Sequence, residues 1–123
     1  MIIISSATVF GSRWYLQNNL ESTKNILNSS LIKAQSYAMF KKNNLTWGVC
    51  LNGNTIRMFG GSCGSPTIKE DYVLPIGVAI SGLSTVTFSS LGGEPNTVQN
   101  INLSGNNKTY NFIVNMAGGI SVN

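Results

Sequence analysis

The chain has 123 residues, enough for one compact domain and too few for two. Only 10% of its residues are charged, against roughly 25% in an average soluble domain, and 42% are apolar, which argues against disorder. The net charge of +4 comes from scattered cations, and the absence of histidine removes the commonest general base and metal ligand.

Met1 to Phe10 are mostly apolar and carry no charge. The run is shorter than the about 20 residues a membrane span needs. It also lacks the basic start and small-residue cleavage site of a signal peptide. It reads as a fragment of a longer apolar segment or as the buried start of a helix. From about residue 3 to residue 42 there is no proline, and Gly11 is the only glycine. Leu16, Leu20, Thr23, Leu27, Leu31, Ala34 and Ala38 recur at spacings of three and four, the apolar stripe of an amphipathic helix. The packing face is therefore assigned to Leu16, Leu20, Leu27, Leu31, Ala34 and Ala38, and the helix to residues 1–42. Asn43-Asn44 follow as stop residues, and Lys41-Lys42 complement the negative end of the macrodipole. Such a helix is about 60 Å long at 1.5 Å per residue. That is more than the diameter of so small a domain, so its first third protrudes unless something else buries it. Trp14 and Tyr15 stand just after the apolar start, where aromatics mark a membrane interface or pack on a neighbour.

After Asn44 the period changes from 3.6 to 2, and residues 43–123 read as an antiparallel β domain. Thr46 to Leu51 and Asn54 to Phe59 flank Asn52-Gly53, a strong two-residue hairpin signal. Pairing across that turn sets Val49 opposite Ile56 and Trp47 opposite Met58, with all four on the core face. Cys50 then points to the other face, toward Thr55. The two cysteines allow one disulfide, Cys50 with Cys63, which requires the Gly-rich loop Gly60 to Thr67 to fold back over that second face. Further strands are expected at Asp71 to Leu74, Gly77 to Ile80, Ser84 to Ser89, Val98 to Ser104, Lys108 to Asn115 and Gly119 to Val122. Turns are expected at Gly92 to Asn96, Ser104 to Asn107 and Met116 to Gly119. The fold class is α+β, one long N-terminal helix packed on an antiparallel sheet or sandwich.

Material for catalysis is thin, and the chain reads as a non-enzyme with no cofactor, metal or small-molecule substrate. The acids are Glu21, Glu70, Asp71 and Glu94. Glu70 and Asp71 are adjacent on a strand and so point to opposite faces, which suits solvation better than acid/base work. Serine is plentiful, but the chain has no histidine to activate it as a nucleophile. Gly60-Gly61-Ser62-Cys63-Gly64 lacks the Lys-Ser/Thr end and the following helix of a phosphate loop.

The order of features carries a resemblance. The helix contains Leu27-Asn28-Ser29-Ser30-Leu31-Ile32-Lys33-Ala34-Gln35-Ser36-Tyr37-Ala38, followed by Trp47-Gly48-Val49. Val86-Thr87-Phe88-Ser89-Ser90-Leu91-Gly92-Gly93 comes later, and Phe112 to Val122 ends Asn-Met-Ala-Gly-Gly-Ile-Ser-Val. Over nearly its whole length the chain resembles type IV pilin-like proteins, closest to minor pseudopilins of the GspH/FimT type. The resemblance implies a structural subunit of a type IV pilus or type II secretion pseudopilus, on the cell surface or anchored in the inner membrane with its β domain exported. It implies other pilin or pseudopilin subunits as partners, and the inner membrane as a partner of residues upstream of Met1. The family's Phe-Thr-Leu-Ile-Glu start is missing, and Met1 falls about a dozen residues into the family helix, so the chain looks shortened. DNA-binding members use cations near the last β turn. Here Lys108 is the only nearby one, so DNA or a surface ligand is the alternative partner.

Overall fold

In the computed structural model, the backbone is described for residues 2–105 and 107–123 and the side chains for residues 19–105 and 107–123. A helix α1 (Ile2–Met39) leads through a short 3-10 turn (Lys42–Asn44) into eight strands. These are β1 (Trp47–Asn52), β2 (Thr55–Gly60), β3 (Ile68–Val73), β4 (Ala79–Ser81), β5 (Val86–Thr87), β6 (Gln99–Gly105), β7 (Lys108–Val114) and β8 (Ile120–Val122). They form two four-stranded sheets, ordered β3-β2-β1-β5 and β4-β6-β7-β8, with antiparallel pairing throughout. The protein is thus α+β, with one N-terminal helix packed on antiparallel sheets.

The helix ends at Met39 rather than at residue 42. Lys41 turns into the left-handed region at φ 51°, and its amide reaches back three residues to the Ala38 carbonyl at 3.1 Å. Asn43 and Asn44 follow with φ of 54° and 56°, a conformation that asparagine tolerates better than most residues. The chain thereby reverses and enters β1.

The β1–β2 hairpin differs from the expected register. Val49 pairs with Met58, Leu51 with Ile56 and Trp47 with Gly60, so the two-residue turn is Gly53-Asn54 rather than Asn52-Gly53. Gly53 supplies the positive φ of 62° at the first central position, as a type II′ turn requires. Packing explains the choice. A side chain at position 60 would meet the Trp47 ring at 2.9 Å, so the indole needs glycine opposite it. Opposite Met58, as expected, two large side chains would compete for that space. A slip of two residues leaves every side chain on its own face. Trp47, Val49, Ile56 and Met58 are accordingly all buried on the core face.

One core joins the helix to both sheets. Leu20, Leu27, Leu31, Ala34 and Ala38 meet Trp47, Val49, Ile56, Met58 and Val86 from one sheet, and Ile101, Leu103, Phe112 and Val114 from the other. Burying each large aliphatic side chain stabilises the fold by about 1.5–3 kcal/mol. Ala34, Ala38 and Trp47 belong to that same core, and Tyr37 meets the indole edge-on at 4.9 Å.

Candidate functional site

Every expected member of the helix packing face whose side chain is described is buried: Leu20, Leu27, Leu31, Ala34 and Ala38. Leu16 lies outside the described side chains, as do Met1 to Phe10, Trp14 and Tyr15. The buried stripe from Leu20 to Ala38 covers about 27 Å of helix axis, and the helix continues from Leu20 back to Ile2 for roughly another 27 Å. Among the described residues, no helix is long and apolar enough to cross a membrane.

Thr23, the one polar member of the stripe, is fully buried. Its hydroxyl donates to the Asn19 carbonyl at 2.7 Å, one turn back, and lies 3.2 Å from the Tyr72 hydroxyl. The cost of burying that oxygen is thereby met within the helix. Nearby, Tyr110 donates to the Glu21 carboxylate, and Lys24 also pairs with it at 3.1 Å. These contacts hold Glu21 below the usual carboxylate range, the Tyr110 bond contributing most. They tie the helix to β7 close to where its buried stripe begins.

The second face of the first sheet carries the disulfide. Cys50 is bonded to Cys63, which brings the Gly-rich loop over that face as expected. In the observed register Cys50 stands opposite Arg57 rather than toward Thr55. Arg57 donates to the Cys63 carbonyl at 2.7 Å and to both Asp71 oxygens at 2.9 and 3.2 Å. This bidentate pair, joined by Lys69 at 3.3 Å, holds the Asp71 carboxyl below its ordinary range. Loop, β2 and β3 are thus fastened together by one guanidinium. Glu70 projects the other way and takes Lys33 of the helix at 2.6 Å. The adjacent acids serve opposite faces, each in an ion pair. Glu94 is likewise engaged, accepting from the Ser89 hydroxyl at 2.6 Å beside a shallow cleft lined by Thr87, Phe88, Pro95 and Asn96.

A feature that reasoning from the sequence missed is Gln35. Its side-chain amide donates to the carbonyls of Gly93 and Gly118, at 2.8 and 2.7 Å. Both glycines have positive φ, 69° and 91°. A side chain at position 93 would stand 3.0 Å from Gln35 and 2.9 Å from the Met39 sulfur. One helical glutamine therefore brackets two turns that are distant in sequence, at the C-terminal end of the helix. Its position beside the stripe of Leu31, Ala34 and Ala38 was the available signal, since a polar residue bordering a buried stripe faces a sheet or loop backbone.

The cations are spread over the surface. Among the described residues, Lys24, Lys33, Arg57, Lys69 and Lys108 each pair with a carboxylate, and Lys41 and Lys42 make no ion pair. Lys42 instead lies over the Tyr37 ring at 3.9 Å.

Compared with protein-family models, curated proteins and solved structures, the chain matches none.

Proposed function

We propose that this chain is a structural subunit of a type IV pilus or type II secretion pseudopilus, with a pilin-like fold. It assembles through its N-terminal helix and displays its β domain. The observation that carries this reading is the helix itself. About half its length packs on the sheets, and the backbone continues as helix for as far again, ending in the uncharged, largely apolar sequence Met1 to Phe10. An apolar helical segment of that kind is stabilised by neighbouring helices, and its function is packing rather than turnover. The carboxylates of the β domain are held in ion pairs or hydrogen bonds, which suits a displayed scaffold.

The deciding test is the genomic DNA directly upstream of the Met1 codon. The expected reading is an in-frame basic leader, a Gly, then Phe-x-x-x-Glu within an apolar run. An in-frame stop codon there, with no such segment, refutes the proposal.

A second reading, a minor pilin that captures DNA, rests on Lys41 and Lys42, which lie outside the ion pairs. It predicts salt-dependent retention of duplex DNA, because phosphate contacts release counterions. No retention at low salt ends it.

A further inference from the structure

Asparagine is abundant in this chain, yet Asn52 alone is followed by glycine. In that dipeptide the following main-chain nitrogen attacks the asparagine side chain most readily, because glycine has no Cβ to block the approach and rotates freely. Asn52, Gly53 and Asn54 are all exposed at the tip of the β1–β2 hairpin. Gly53 takes a φ of 62°, and a Cβ built on it would meet nothing within 4 Å. The observed register makes Gly53 the first turn residue, so its amide lies outside the ladder, whose last pair is Asn52 with Thr55. Beyond the turn the chain is anchored, because the Leu74 amide donates to the Asn54 carbonyl at 2.7 Å. Other asparagines are held in place. Asn100 and Asn102 both accept from the Asn111 side-chain amide, and Asn115 accepts from the backbone amides of Ala117 and Gly119. Asn28 precedes serine but lies inside α1, where the backbone is fixed by the helix.

We infer that Asn52 is a site of spontaneous covalent modification, in which the folded protein converts its side-chain amide to a carboxylate with water as the only co-reactant. The inference stands apart from the filament reading. The Gly53 nitrogen gives up its proton and attacks Cγ of Asn52; the Cγ–Nδ2 bond breaks and ammonia leaves. The resulting five-membered imide is opened by water. Attack at Cγ gives aspartate. Attack at the main-chain carbonyl carbon gives isoaspartate, in which the chain runs on through Cβ and is one atom longer. Nothing is oxidised or reduced. Ring closure requires the ψ of Asn52 to leave the extended value of a strand, so the Asn52–Thr55 pair has to open first. That pair is the last of the ladder, and the end of a ladder opens without the rest of the fold. The next pair, Leu51 with Ile56, is retained by the buried Ile56. The product carries a carboxylate at the hairpin tip, which lowers the net charge of +4 by one. Its longer main chain no longer matches the Asn52–Thr55 pair, so the modified tip stays open. Each molecule is thereby marked by its age at one position.

The test is to hold the folded full chain in mildly alkaline buffer and follow each asparagine by peptide mass spectrometry. Isoaspartate is counted separately, by methyl transfer from an isoaspartyl methyltransferase. Asn52 should convert before any other asparagine, with isoaspartate among its products. Asn52→Gln should melt like the parent and stay unconverted over the same interval, because its longer side chain closes a ring far more slowly. Leu31→Ala separates local from global opening. If conversion needs only the hairpin tip, this core variant should convert within about twofold of the parent rate. If conversion needed global unfolding, its lost stability would speed the reaction on the order of a hundredfold. That acceleration overturns the inference. So does prior conversion at another asparagine, or an Asn52 that stays intact in the folded chain while the urea-unfolded chain converts.

Discussion

Replacing Gln35 by leucine keeps the size of the side chain and removes both donors to the Gly93 and Gly118 carbonyls. Each lost hydrogen bond costs about 1 kcal/mol net, and two give about 2 kcal/mol. The two bonds are only part-buried, which argues against the larger penalty of a fully orphaned acceptor. For a chain of this length about 2 kcal/mol corresponds to roughly 8 °C in melting temperature. Gln35→Glu goes further, because at neutral pH it sets a carboxylate against two carbonyl oxygens, so it should melt lower than Gln35→Leu. The loss should be local first. Amide hydrogen exchange should quicken at Gly118 and Gly119, whose amides bond to Asn115, and stay slow in β1 and β6. A Gln35→Leu protein melting within about 2 °C of the parent, or a Gln35→Glu protein melting above Gln35→Leu, refutes the bracket.

Leu31 is fully buried against both sheets, so Leu31→Ala should cost about 3 kcal/mol by leaving a cavity, read from urea unfolding. Leu31→Asp should not fold at all at neutral pH; a parent-like melt in that variant sinks the packing account of the helix. Reducing Cys50–Cys63, separated by 13 residues, should lower stability by about 3 kcal/mol through loop-closure entropy. An unchanged urea midpoint with and without reductant contradicts that. Asp71 and Glu21 have depressed carboxyl pKa values in the fold. Their stabilisation is complete above the unfolded carboxylate pKa of about 4 and is lost as pH falls through the lower folded values. Thermal melts from pH 7 to pH 2 should therefore be flat above that pH and fall below it, and Asp71→Asn should fall less.

The element order was legible because periodicity is a local property. The stripe Leu20–Leu27–Leu31–Ala34–Ala38 and the alternation of Trp47, Val49, Ile56 and Met58 named the buried faces, and the structure buries each of them. Parity also survived the hairpin slip, since two residues return a side chain to the same face. The register itself depended on Trp47 needing Gly60 across the pair, a steric fact between strands that turn chemistry at Asn52-Gly53-Asn54 does not encode.

Sequence by itself thus determined the order of helix and strands and which sides of them avoid water, because each choice is made within a few neighbours, whereas the bounds moved: the helix stops at Met39, β3 starts at Ile68 rather than Asp71, and of Ser84 to Ser89 only Val86–Thr87 is a strand. It also allowed Cys50 and Cys63 to pair and set Glu70 and Asp71 on opposite faces. Tertiary structure alone decided how the eight strands divide into two sheets, that Arg57 fastens the disulfide loop to β3, and that Gln35 gathers Gly93 and Gly118. Those depend on groups 58 and 83 residues from Gln35 in the chain, where no local pattern specifies the partner and only the shared core brings the backbones together. The same distances explain why the turns at Gly93 and Gly118 look unrelated along the chain and meet at Gln35 in the fold.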